Sequence, residues 1–518
     1  MKRYIYSLKV MALFFAITVT STSCTEDFLD RPSEDGYTID NFYSTDEQVM
    51  ASTSPMYGKM WVPFATKWQS ALGELPSGNC QAGADAVELV DFKLTSESEA
   101  LLLPWSTCFA VVAQSNNLIN NLESNVGPGV SAGVIKTTIA EAHFMRAMAY
   151  FYLVRIYGAV PIIENNLNYV ANPKINTNPV EDVYKFIKMD FQYAADNLPS
   201  KVRTAAYSNN IRLSSGSAKS LLAKVNLYTK DYAEAKRLSQ EVIASGEFKL
   251  LGSTELPAKT FGDLFLVKNN NNEESIFSWQ FITKGYGYSN YSNIQYGIDA
   301  LNEATYGGTY VPTKDVQKAF ETGDLRRKES FMIANDFYPT LASDQGASFL
   351  LDPTKYNLNG TGAFVKKYVV GKQSAETGPQ DNNGSSACMY IMRYADLLLI
   401  HAEAIMGTST ETTDAAALTS YNKVRNRAGL ASVTKITHAD IIHERRVEFA
   451  FEGEYWYDLC RIPRAEAIDL ISKQDRSYFS DTPKYVTPVD SDFTFPKPAN
   501  EVKYNPKLNE APVPYVFK

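Results

Sequence analysis

Along the chain, apolar residues return at every third or fourth position in a series of separated stretches, the spacing that gives a helix one buried face. The spacing predicts a first helix from Ser44 to Trp61, with Ser44 or Thr45 as its N-cap and Glu47 near the third position. Further helices are expected from Pro104 to about Glu123, from Val134 to Tyr157 and from Val180 to Asn197. Gly158 and Pro161 stop the second of these, and Pro199 lies just beyond the third. Residues 217–246 read as two helices broken near Lys230 and Asp231, and residues 392–429 repeat that design up to a capping Gly429. Periodic stretches at 439–452 and about 455–462 complete the series.

In 217–246 the small residues Ala223 and Ala235 face Leu227, Tyr228 and Tyr232, as in tetratricopeptide helix pairs, where small side chains allow close approach and rings fill the remaining gap. Residues 392–429, 134–157 with 180–197, and 439–452 with about 455–462 supply three more pairs. The expected fold is therefore mainly α, a scaffold of about four such pairs with large irregular insertions and a few short strands. The insertions are 62–103, rich in Pro, Gly and scattered rings, and 250–390, with its Asn run 269–272 and the stretch GYGYSNYSNIQYG at 285–297. Short strands are expected near 275–281 and 364–370. Function is expected on these two surface-facing segments, because long loops on a rigid scaffold usually carry it.

Composition narrows the partners. The 518 residues are 45% hydrophobic and 21% charged, enough for a large core. An N-terminal part (44–250) and a C-terminal part (251–518) are expected to form one body. The net charge is -8, and Lys2, Arg3 and Lys9 all precede Cys24, so nucleic acid and anionic lipid are poor partners for the rest. Those three cations, the apolar run Val10–Val19 and the small residues 20–23 read as a signal peptide over 1–23. No later run approaches the roughly 20 apolar residues a membrane-spanning helix needs. Cys80, Cys108, Cys388 and Cys460 fit no zinc spacing, so no metal or cofactor is expected, and buried free thiols are the simpler reading than any of three disulfide pairings.

Two resemblances follow from quoted residues. Cys24 directly behind the small-residue stretch resembles a bacterial lipoprotein cleavage site, although Ser21 stands where such sites carry Leu. Lipidation at Cys24 with a tether over 24–43 is the expectation, and Glu26 and Asp27 resemble the surface-export signal of Bacteroidetes lipoproteins. The stretches AEAHFMRAMAYFYLVRIYGAVPIIE (140–164), RYADLLLIHAEA (393–404), YNKVRNRAGL (421–430), HERRVEFAFEGEYWYDLCR (443–461) and FPKPANEVKYNPKLNEAP (495–512) resemble, in order, the landmarks of the SusD/RagB family. That resemblance implies a non-catalytic, surface-exposed outer-membrane lipoprotein that binds a nutrient, an oligosaccharide or polysaccharide in many members and a peptide in some. It also implies delivery of that ligand to a SusC-like TonB-dependent channel. A protein-interaction scaffold without a small ligand is the alternative from another class.

The charged motif residues could be a catalytic acid–base set or an internal ionic network. Arg445 and Glu448, for example, are neighbours on one helical face. The network reading is preferred for Glu141, Arg146, Arg155, Arg393, Asp396, Glu403, Arg445, Arg446, Glu448, Asp458 and Arg461, and the chain is read as no enzyme. His443-Glu444 begins a zinc-protease motif, but Val447 occupies the second histidine position. A sugar receptor needs exposed rings for stacking and polar groups for hydroxyls. Trp68, Asn79 and Asp85 in the first irregular segment, with Trp61 nearby, and Trp279, Tyr286, Tyr288, Tyr291 and Tyr296 in the second, are the candidate ligand contacts.

Overall fold

The computed structural model describes residues 43–82, 86–284, 287–302, 307–358, 360–374, 384–478, 480 and 482–517. The signal peptide, Cys24, Asp85 and Tyr286 lie outside the described residues.

Seven helices form one row. They are α1 (Glu99–Asn125), α2 (Ala132–Tyr157), α3 (Val180–Asn197), α4 (Ser215–Tyr228), α5 (Tyr232–Ser245), α6 (Tyr394–Met406) and α7 (Ala415–Arg427), each packed on the next. Helices α8 (His438–Glu448) and α9 (Tyr455–Arg461) follow, with α8 against α6. The sequence explains the layering. From Thr138 to Tyr157 nearly every residue of α2 is buried, the charged Glu141, Arg146 and Arg155 included, so the helix is covered on all sides, and α6 is the same from Tyr394 to Ala404. In contrast α3 buries Val183, Phe186, Ile187, Asp190, Phe191, Ala194 and Ala195, a single stripe. Helix α2 ends where Gly158 adopts φ +68°, a conformation that a side chain would strain.

The four expected pairs are present, and the mainly α reading holds. Two details differ. Helix α1 begins at Glu99 rather than Pro104, because Ser98 caps it by accepting a bond from the Ala100 N–H and the proline is carried inside. The 62–103 segment is not a surface loop. It contains short helices Val62–Ala65, Trp68–Glu74 and Val87–Val90, and Phe64, Ala65, Ala71, Leu72 and Leu75 are fully buried.

The 250–390 insertion joins α5 to α6, which pack together despite that separation. It is stapled by short antiparallel pairs: Ser275–Trp279 with Met389–Arg393, Phe331–Ile333 with Ala363–Val365, and Phe337–Tyr338 with Phe349–Leu350. A further pair, Cys80–Ala82 with Tyr310–Pro312, ties it to the N-terminal irregular segment.

The charged motif residues form a buried ionic network, and its bonds run mostly between elements. Arg393 reaches Glu274 at 2.6 Å, Glu448 at 2.9 Å and Glu452 at 2.8 Å, while Arg427 also bonds Glu448. Arg445 pairs with Asp396 at 2.6 Å and Asp458 at 2.9 Å, not with Glu448 on its own helix. Arg146 on α2 grips Asp190 on α3 through two bonds of 2.7 and 2.8 Å. Burial alone would neutralise Glu448 and Asp396, but their cationic neighbours hold both carboxylates well below the usual range. Cys80, Cys108, Cys388 and Cys460 are free thiols, and burial pushes Cys388 up to about 11.

Candidate functional site

The two irregular segments meet at residues 57–69 and 275–296, and they are held there by a chain of specific contacts. Glu141 on α2 accepts bonds from Thr53 Oγ1 at 2.5 Å and Tyr57 Oη at 2.7 Å, and it pairs with Arg212 at 2.7 Å, which anchors the first segment to the scaffold. The Gln280 N–H donates to the Tyr57 carbonyl at 2.8 Å. That approach needs Gly58, because a Cβ there would sit 1.9 Å from the Gln280 carbonyl oxygen. Behind the junction Trp61 stacks on Trp279 at 4.2 Å with 21° between the rings, and Trp279 Nε1 donates to Gln69 Oε1 at 2.9 Å.

Beside this junction Ile282 and the Tyr288–Ser289 pair are bonded to each other. The Ile282 N–H donates to the Tyr288 carbonyl at 3.1 Å and Ser289 Oγ donates to the Ile282 carbonyl at 2.9 Å. Lys59 Nζ donates to the Gly287 carbonyl at 2.7 Å and lies 3.7 Å from the centre of the Tyr288 ring. These bonds leave Tyr288, 38% exposed, beside Ile282, 54% exposed, with Lys59 and Lys284 also exposed around them. At the far end of the segment Gln295 Nε2 donates to the Thr66 carbonyl and Asn290 exchanges backbone bonds of 2.9 and 3.1 Å with Ser385.

The structure separates the sequence candidates sharply. Tyr288 is on the surface and Tyr291 is half-buried. Trp61, Trp279, Tyr296 and Asn79 are fully buried and Trp68 nearly so, which corrects the expectation that Trp68, Asn79, Trp279 and Tyr296 offer themselves to a ligand. Trp61 and Trp279 are spent on each other, and Tyr296 donates to the Phe451 carbonyl at 3.4 Å. Asn79 donates to Glu74 at 3.0 Å and accepts from Arg446 at 3.0 Å. Burial pushes the Glu74 carboxyl up to about 7, against the opposing pull of its bonds from Asn79 and the Gly453 N–H. The sequence reading missed Ile282, Lys284 and Lys59. A usable signal existed for the last, since it sits between Tyr57 and Trp61 at the edge of the aromatic run.

A concavity of about 510 Å³ lies between α1, residues 161–175 and residues 501–508, lined by Trp105, Phe109, Ile163, Pro173, Ile175 and Tyr504 among others. Its mostly apolar wall suits a sugar less well than the Tyr288 surface, where an exposed ring stands beside the Lys59 and Lys284 ammonium groups. Among the described residues no cluster of His, Cys, Asp and Glu could hold a metal ion, and no helix is long and apolar enough to cross a membrane.

Comparison with known proteins identifies the scaffold. Residues 268–513 match the model of the SusD family, and residues 77–227 match a second model described as starch-binding, associating with outer membrane. A SusD-like protein of Bacteroides ovatus is 31% identical over 100% of this chain and 99% of its own length. One of Formosa agariphila is 25% identical over 88% of this chain and 90% of its own. Among solved structures, one with a xylogluco-oligosaccharide is similar at TM-score 0.81 and 28% identity, covering 91% of this chain and 99% of that one. A SusD superfamily protein of Parabacteroides distasonis is similar at TM-score 0.71 and 25% identity, covering 89% and 98%. With a relative aligned from end to end, two family models and the five ordered motifs, this chain belongs to the SusD/RagB family.

Proposed function

We propose that this protein is a non-catalytic glycan receptor of the bacterial outer membrane, anchored at the cell surface through Cys24, that hands its ligand to a SusC-like TonB-dependent channel. The observation that carries the glycan reading is the exposed Tyr288 ring, held by backbone and side-chain bonds next to Ile282 and bordered by polar groups. A sugar presents a flat C–H face and a rim of hydroxyls, and such a surface satisfies both. The xylogluco-oligosaccharide in a structure of 28% identity supports the same ligand class. A non-catalytic role is supported by the state of the motif carboxylates: Glu141, Asp396, Glu403, Glu448 and Asp458 are buried and paired with arginine or lysine, out of reach of a substrate. The channel and the lipid anchor rest on family membership and on the residues preceding the tether.

The test is calorimetric titration of the protein lacking residues 1–24 against a broad panel of soluble oligosaccharides and polysaccharides, with products checked for new reducing ends. Saturable binding without hydrolysis is expected, weakened about tenfold or more in Tyr288→Ala. Silence across the panel, or cleavage of a bound glycan, contradicts the proposal.

A further inference from the structure

The stretches 54–73 and 275–298 contain Lys59, Lys67 and Lys284 and no aspartate or glutamate, in a chain whose acidic residues outnumber its basic ones 58 to 50. Folding brings these stretches to one surface. Lys59 Nζ lies 3.7 Å and Lys284 Nζ 5.9 Å from the centre of the same Tyr288 ring, and Lys67 Nζ lies 4.3 Å from the Trp68 ring. Both Lys59 and Lys284 are exposed, and among the described residues neither is paired with a carboxylate. Lys59 gives one N–H to the Gly287 carbonyl, which leaves two donors of its ammonium group for something else. A carbonyl is not a counterion, so two like charges share one ring with no anion of their own. Elsewhere in this protein the common arrangement is the opposite: Arg326, Arg393, Arg427 and Arg445 each meet carboxylates.

We propose that the glycan taken by this surface is anionic, with carboxylate or sulfate groups on its sugars met by Lys59 and Lys284 while Tyr288 and Ile282 cover a sugar face. This rests on the receptor reading above and adds the charge of the ligand to it. Lys59 covers one face of the Tyr288 ring, so the sugar stacks on the other face and its acidic group reaches past the ring edge toward the ammonium groups.

The experiment is a pair of calorimetric comparisons. Oligogalacturonides are titrated against their carboxyl-reduced counterparts, and sulfated galactan oligosaccharides against the same chains desulfated, each at about 50 and about 500 mM salt. One acidic series is expected to bind about tenfold tighter than its neutral counterpart, and high salt should remove most of that advantage. Which series responds distinguishes carboxylate from sulfate. Lys59→Met and Lys284→Met keep the apolar stem and remove the charge, and each should shrink the acidic preference several-fold. Lys284→Met guards against disturbing the Tyr288 backbone, since Lys284's side chain makes no hydrogen bond like that of Lys59 to Gly287. Neutral glycans binding as tightly as acidic ones, with binding lost in Tyr288→Ala, overturns the charge assignment and leaves the receptor reading standing. No binding by any member of either series or of the broad panel defeats both.

Discussion

Trp279 and Tyr288 stand nine residues apart in one aromatic-rich stretch, yet one is fully buried and the other is 38% exposed. The difference lies in what each ring can bond. Trp279 finds a stacking partner in Trp61 and an acceptor in Gln69, whereas the Tyr288 backbone is bonded to Ile282 and its ring meets the Lys59 ammonium rather than another buried ring. Trp279→Ala should therefore cost about 3–5 kcal/mol of stability by removing a large core side chain, read as a fall in the urea midpoint. Tyr288→Ala should leave that midpoint nearly unchanged. The irregular segments have no period from which to assign faces, which is why the sequence nominated both kinds of residue alike. Glu74 makes a second residue-scale prediction. Its folded carboxyl titrates near about 7 against 4.5 for the free group. Between those values the folded chain holds a proton that the unfolded chain has released, so stability falls as pH rises through that window, by roughly 2–3 kcal/mol. Denaturation midpoints from pH about 5 to about 8 should show this slope, and Glu74→Gln, which stays neutral, should flatten it.

At the scale of elements, the helices were legible from where their apolar runs start and stop, and most plainly in α3, whose single buried stripe matches the expected span of about Val180 to Asn197. The ion pairs were legible in kind but not in partner. Arg445 and Glu448 share a helix face by spacing, but Asp396 and Asp458 come from α6 and α9, and only the packing of three elements brings them to Arg445. The strands near 275–281 and 364–370 were found at Ser275–Trp279 and Ala363–Val365, and the second ends early as Tyr368 turns to φ +61°. Glu448 serves Arg326, Arg393 and Arg427 together, so Glu448→Gln should cost about 3–5 kcal/mol and leave buried guanidinium groups without their charge partner. Because its carboxyl is held below the ordinary range, the stability it contributes is present above about pH 4.5 and is lost on acidification, opposite in sign to Glu74. Gly58→Ala belongs here too. A methyl group 1.9 Å from the Gln280 carbonyl must part the two segments, and the expected result is lost ligand binding with the helical circular-dichroism signal retained.

In the whole molecule, the row of helices supplies a rigid wall and the 250–390 insertion, returning from α5 to α6, carries the Tyr288 surface back onto it. The order of helix pairs and the place of the insertion could be read from the sequence, since both are set by where periodicity starts and stops. The position of the site within the insertion could not, since it depends on two segments more than 200 residues apart meeting at Gly58 and Gln280. The central claim is that this meeting point is where a glycan binds. A crystal structure of the protein with the tightest-binding oligosaccharide from the panel tests it most directly. A sugar ring stacked on Tyr288 with its polar groups toward Lys59 and Lys284 is the expected result. Sugar bound instead in the apolar cleft of Trp105, Phe109 and Tyr504, with the Tyr288 surface bare, would contradict it.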